Sequence, residues 1–144
     1  MLDRPLDALT PHAGRMRLID RVTAHDAESI TCESDAHRDA EHPLRRADRL
    51  PAIAALEFGA QAMAIHGALA AGIAAKPRIG YLVAAHELRW QVDRLDTLPV
   101  SLTITATRLF GSDNQVAYRF DIVAGAQPVM QGRASVVLQG DRGG

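Results

Sequence analysis

Residues His42–Gln61 read HPLRRADRLPAIAALEFGAQ: a basic, polar loop passes through Pro51 into an Ala/Gly-rich apolar run that carries one acid, Glu57. Proline suits the first turn of a helix, where its missing N–H costs nothing, and Asp48 just upstream is a candidate cap. The run predicts a helix from Pro51 to about Ala74, ~35 Å long at 1.5 Å per residue. Small apolar residues such as Ala52, Ala55, Gly59, Ala62 and Gly67 occupy its faces, and a helix apolar all round is one that other elements wrap. An acid inside such a helix is costly to bury without a partner or a function. Glu57 and the loop histidine His42 therefore stand as a candidate acid/base pair. Gln61, one turn on, shares the face of Glu57. His66, nine residues beyond Glu57, falls on roughly the opposite face and reads as a satisfied core or interface histidine.

Upstream, a short helix is expected near Asp3–Leu9, then strands over Met16–Thr23 and Ser29–Cys32 joined through the polar HDAE. From Ala36 to Arg49 the chain is polar and charged, with no packing period, so it reads as a loop. It holds both His37 and His42. Downstream, Gly72, Pro77 and Gly80 predict the exit turn of the helix. Four segments with period-2 alternation follow. His86, Leu88, Trp90 and Val92 share a face in the first, and Val100, Leu102, Ile104 and Ala106 in the second. Val116, Tyr118, Phe120 and Ile122 share a face in the third, and Met130, Gly132, Ala134, Val136 and Leu138 in the fourth. The breaks at Gly111–Asn114 and Ala124–Gln127 predict hairpin turns, and the tail beyond Leu138 is expected to fray.

At 144 residues the chain has the size of one domain. Its 16 Lys+Arg against 17 Asp+Glu imply no general affinity for nucleic acid or membranes. Cys32 has no intrachain partner and reads as a small buried strand residue. The six histidines show no metal-ligand spacing, and no cofactor is called for. The N-terminus lacks a basic-then-apolar signal pattern, so a cytosolic protein is expected. The apolar run Ala62–Ala75 falls short of the ~20 residues of a membrane span. Two strands, a helix greasy all round and an antiparallel meander with one apolar face fit together if the sheet curls around the helix. That is the α+β hotdog fold, and its edge strands favour a two-fold dimer with a continuous sheet.

These residues resemble a family, the hotdog 3-hydroxyacyl-(acyl carrier protein) dehydratases, whose pattern is a His-Phe-Pro loop, then Met-Pro-Gly, then a helix bearing an acid and, four residues later, a glutamine. His42-Pro43-Leu44 stands in the loop position, Leu50-Pro51-Ala52 at Met-Pro-Gly, and Glu57 with Gln61 at the acid and glutamine. TPHAGRMRLIDRV (Thr10–Val22) is similar to the family's Leu-Pro-His-Arg followed by Leu-Val-Asp-Arg-Val, and HELRWQV to the strand after the helix. His42 and Glu57 lie 15 positions apart, one more than the family's common interval, and Ala52 replaces the family glycine. The Leu-Pro-Ala variant resembles, more specifically, the diverged dehydratase components of aryl-polyene pigment pathways.

The resemblance implies removal of water from a 3-hydroxyacyl thioester on acyl carrier protein. That reaction needs a base at Cα, an acid for the leaving hydroxyl and a donor for the thioester oxygen. His42 is the expected base, with His37 its competitor. Glu57 is the expected acid, kept protonated by burial, unless one of Arg15, Arg17 or Arg21 makes it a structural ion pair. Gln61 would orient Glu57, the Ala52 N–H would bind the thioester oxygen, and Phe58, Met63 and Ile65 would line an acyl tunnel along the helix or pack as core. Arg45, Arg46 and Arg49 form a basic cluster suited to the acidic carrier protein or to plain solvation. In the family the loop histidine and the helix acid of one site come from different protomers, so a homodimer or a heterodimer with a related hotdog subunit is implied. The alternatives are a hotdog acyl-thioesterase, in which Glu57 would act on a water, and a non-catalytic subunit supporting an active partner.

Overall fold

The computed structural model describes residues 17–71, 79–112 and 115–139. Two strands, β1 (Arg21–His25) and β2 (Ser29–Ser34), precede a helix that opens as a 3-10 turn (Ala52–Ala54) and continues as α1 (Ala55–Ala71). Four long strands follow: β3 (Ile79–Trp90), β4 (Leu102–Gly111), β5 (Gln115–Ala124) and β6 (Gln127–Gln139). They form one antiparallel sheet in the order β1-β2-β4-β5-β6-β3, and α1 packs across β2 to β6. This is the hotdog architecture expected from the sequence.

The period-2 patterns of β4, β5 and β6 place their apolar faces as expected. Leu102, Ile104 and Ala106, then Val116, Tyr118, Phe120 and Ile122, then Met130, Ala134 and Val136 are all buried against the helix. Facing them are Phe58, Ala62, Met63 and Ile65, fully enclosed in the same core. Cys32 is buried on β2, and burial pushes its thiol up to about 12. The β5–β6 hairpin turns on Gly125 at φ +61, a conformation that glycine adopts without strain.

The structure departs from expectation in several places. β3 does not extend the meander beside β4; it crosses to the far edge and pairs with β6. It begins at Ile79, so Gly80 is a strand residue and not part of a turn. Its alternation breaks at a bulge between His86 and Arg89, where Glu87 sits at φ +55. His86 and Trp90 are consequently exposed while Leu88 packs on the core beside Gly132. Val100 lies outside β4 and is exposed. The first strand starts at Arg21 because Leu18 is held by side chains: its N–H donates to Gln61 Oε1 at 2.8 Å and its carbonyl accepts from Ser34 Oγ. The short helix expected near Asp3–Leu9, the strand start at Met16, the helix end with Gly72 and Pro77, the tip Asp113–Asn114 and the tail from 140 fall outside the described residues.

His66 is a satisfied core histidine. Its Nε2–H donates to the Asp26 carbonyl at 2.9 Å, which leaves Nδ1 to accept from the Tyr118 hydroxyl at 2.7 Å. The two rings meet edge to face, and burial pushes the Tyr118 hydroxyl up to about 12. Removing that hydroxyl strands a buried acceptor, which typically costs ~1–3 kcal/mol. Tyr118→Phe is expected to lower stability by about that amount in urea titrations; an unchanged midpoint would contradict the assigned donor and acceptor.

Candidate active site

The start of the helix is set by backbone. Pro51 is its N-cap residue and no side chain caps it; Asp48, expected in that role, lies exposed in a turn. A clamp from the loop after β3 does the positioning. Leu50 N–H donates to Asp96 Oδ1 at 2.9 Å, Leu95 N–H to the Leu50 carbonyl at 2.8 Å, and Ala52 N–H to the Asp93 carbonyl at 3.0 Å. Arg94 pairs with Asp96, and its guanidinium holds that carboxyl well below the usual carboxylate range. The clamp corrects one expectation: the Ala52 N–H is already spent on Asp93 and is not open to a thioester oxygen. The next N–H, on Ile53, pairs with no group among the described residues, and the Ile53 side chain is 58% exposed.

One turn into the helix, Glu57 opens on a groove of about 540 Å³ lined by Leu44, Arg46, Pro51, Ile53, Ala54 and Leu56. Glu57 is half-buried, so the deep burial expected of it is absent within one chain. Gln61, 1% exposed, reaches Glu57 Oε1 with its Nε2 at 3.5 Å while its Oε1 holds Leu18 N–H. It thus joins the acid to the segment that leads into β1. Arg21 is committed to Glu33 at 2.7 Å and is not the partner of Glu57.

The loop before the helix is packed rather than solvated. His37 is fully buried, with Nε2 donating to the Leu98 carbonyl at 3.1 Å, so it pins the loop to the stretch before β4. His42 is 4% exposed and stacks on Phe58, ring centroids 5.9 Å apart and planes at 24°. Its Nδ1 accepts the Leu44 N–H at 3.0 Å, a bond that Pro43, lacking an N–H, cannot offer. His42 Nε2 is buried with no partner among the described residues, and so is His37 Nδ1. Burial pushes both histidines below their ordinary range; a charge on Arg45 or His37 lowers His42 further, against the pull of Asp39.

Phe58 therefore orients the histidine from within the core and does not line the groove. Met63 and Ile65 are core residues as well. Within one chain His42 Nε2 makes no hydrogen bond to Glu57. Of the three arginines, Arg45 braces the loop, with Nε on the Asp39 carbonyl at 2.8 Å and Nη1 on that of Asp48 at 3.0 Å. Arg46 and Arg49 pair across a tight hairpin whose central residues, Ala47 and Asp48, sit at φ +50 and +64. Both are exposed, and Arg46 lines the groove. No cluster of three or more potential metal ligands occurs among the described residues.

Residues 4–142 match the ApeP-like family, described as ApeP dehydratase. The structure is similar to that described as the dehydratase heterocomplex ApeI:P from Xenorhabdus doucetiae, at TM-score 0.82 and 21% identity over 96% of this chain and 93% of that one. It is also similar to AziG from S. sahachiroi, at TM-score 0.62 and 13% identity over 87% and 93% of the two chains. A hypothetical thioesterase with coenzyme A from Streptococcus pneumoniae gives TM-score 0.58 and 11% identity over 85% and 87%. No curated protein matches the chain.

The depressed groups set a pH dependence. Near pH 6.5 the unfolded chain takes up protons on histidine that folded His37 and His42 resist. Their stabilising contribution is therefore complete above about pH 6.5 and is lost as pH falls through the lowered folded values. Asp96, with Asp26 and Asp35, adds a second loss that begins below about pH 4, as these carboxylates are protonated more easily in the unfolded chain. Urea midpoints are expected to fall in those two windows, with the second fall smaller in Asp96→Asn. A midpoint flat from pH 7.5 to 5 would contradict the buried histidines.

Proposed function

The chain belongs to the ApeP-like dehydratase family, and from that premise we propose that it removes water from a 3-hydroxyacyl thioester carried on acyl carrier protein, giving the trans-2-enoyl thioester. The observation that carries this reading is a carboxylate opening on an apolar groove, set beside a helix that buries a histidine with an unpaired Nε2. The apolar groove suits an acyl chain, and Glu57 stands where a reacting Cα–Cβ unit would lie against the first turn of the helix. The open Ile53 N–H, at the positive end of that helix, takes the role the resemblance gives to Ala52 and binds the thioester oxygen. His42 and Glu57 supply the acid–base groups.

The site is shared between two hotdog chains. His42 and Glu57 are not joined within one chain, β3 is a sheet edge twelve residues long, and Trp90 at its end is 57% exposed, as is Ile53 at 58%. A long edge strand that pairs on one side only among the described residues, ending in an exposed Trp90, favours continuation of the sheet by a second chain. The partner is another copy or a related hotdog subunit, and the likeness to a dehydratase heterocomplex supports the latter. Arg46, which lines the groove, and Arg49, bridged to it, receive the acidic carrier, while Arg45 is occupied inside the loop.

Incubation of the purified assembly with a 3-hydroxyacyl carrier protein is expected to yield the enoyl product, read by mass spectrometry as loss of one water; release of free acid would instead indicate a thioesterase. Mixing inactive His42→Ala and Glu57→Gln proteins is expected to restore part of the activity, and no recovery despite proven subunit exchange would reject the shared site. Charge reversal at Arg46 and Arg49 is expected to raise the KM for acyl carrier protein by ~3–10-fold, less at high salt, with turnover little changed.

A further inference from the structure

The outer face of the sheet, away from the helix, carries a pocket that no step of the proposed reaction uses. Arg119 on β5 and Arg133 on β6 stand directly opposite each other, alternating with Tyr118, Phe120 and Ala134, which are buried. Directly opposed residues of an antiparallel pair have Cβ atoms about 4.5–5.5 Å apart, and like charges there repel. A third guanidinium, that of Arg89, reaches the same pocket because of the bulge in β3. Regular alternation from His86, opposite Arg133, would turn Arg89 toward the core; the bulge turns Leu88 inward instead. Gly132 permits this close approach, since a Cβ there would lie 2.7 Å from Leu88 Cδ2.

The three arginines, with Glu87, Asp121 and Gln131, line a cavity of about 470 Å³. Its two carboxylates leave the guanidinium charge unneutralised. Glu87 Oε1 lies 3.7 Å from Arg133 Nη1, with side chains 67% and 40% exposed, a pairing worth little in water. Arg89, Arg119 and Asp121 make no hydrogen bond or ion pair among the described residues. Gln131 is fixed by reciprocal amide bonds with Gln91, at 2.8 and 3.0 Å, so the row Arg89–Gln131–Asp121 is anchored at its middle. We propose that this pocket binds a phosphate dianion, free or borne on a small molecule, between Arg119 and Arg133 with Arg89 as the third donor. The planar guanidinium fork matches phosphate oxygens, and a dianion between two opposed arginines converts their repulsion into attraction to a shared centre. The volume falls within the ~300–1,000 Å³ of small-molecule sites and leaves room for the rest of a phosphorylated ligand. Pairing along the β3 edge uses backbone groups in the plane of the sheet and leaves this face open.

Isothermal titration of the full-length assembly at low ionic strength, with inorganic phosphate and glycerol 3-phosphate as probes, tests this independently of any dehydratase activity. Both probes are expected to bind saturably with a Kd of about 1 mM or tighter, and Arg119→Gln and Arg133→Gln each to weaken binding at least ~10-fold. Asp121→Asn, which takes a carboxylate out of the pocket, is expected to tighten it. Tighter binding of the ester would seat the rest of the ligand in the cavity, equal binding would make free phosphate the ligand, and both results support the site. Saturating phosphate is also expected to raise the urea midpoint of the wild-type protein but not of Arg119→Gln. The proposal is overturned by the absence of saturable binding of either probe up to about 10 mM. Equal weakening by Arg119→Gln and by Arg108→Gln, an arginine of β4 that does not line the pocket, would overturn it as well.

Discussion

The clamp between Leu50–Ala52 and Asp93–Asp96 governs the rest of the site. The apolar helix has no side-chain cap, so nothing in its own sequence fixes where it begins. The loop after β3 supplies that origin through two backbone groups, the Asp93 carbonyl and the Leu95 N–H, and the Asp96 carboxylate, and the Arg94–Asp96 pair stiffens the loop. The position of Glu57, two residues after Ala55 where the α-helix proper starts, follows from this anchoring. So does the identity of the open donor: spending the Ala52 N–H on Asp93 moves the first available amide to Ile53, on the groove side. A 3-10 first turn is the geometric result, since Ala54 N–H closes back on the Pro51 carbonyl at 3.0 Å.

Three buried histidines show what one residue type does under different bonding. His66 has both nitrogens satisfied and fastens β5 and the β1–β2 turn to the helix, so it is structural. His37 spends one nitrogen on the Leu98 carbonyl and holds the loop. His42 spends one on its own loop and leaves the other unpaired next to the helix that carries the acid. Burial disfavours charge on His37 and His42 alike, but only in His42 does the unsatisfied atom belong to a ring stacked on the helix that carries the acid.

Legibility in the sequence followed the strength of the local physics. The alternations of β4, β5 and β6 were readable because one face of each strand meets the helix without interruption, and Pro51, Glu57 and Gln61 were readable because helical spacing fixes their mutual placement. β3 was read only from His86 onward. Its first half adjoins the exit of the helix, and its register is broken at Glu87 by a bulge that no period reveals. The loop from Ala36 to Arg49 looked solvated because its polarity is real. Its buried histidines are enclosed by residues distant in sequence, Leu98 and Phe58. The clamp was invisible for the same reason, since backbone bonds to Asp93 and Leu95 leave no trace in side-chain pattern.

The half-exposure of Glu57 follows from how the sheet is closed. A six-stranded sheet ending in β3 covers the flank of α1 that carries Phe58, Ala62 and Ile65, but leaves Ile53, Leu56 and Glu57 at the rim of an open groove. Apolar residues at such a rim gain nothing from remaining in water. A second hotdog chain laid along β3 would continue the sheet and roof the helix start in one step. On the proposed shared site, the surface that would receive a second chain is also the one that would complete the catalyst, and the choice between a copy of this chain and a different hotdog subunit would be made at the groove proposed to take the substrate.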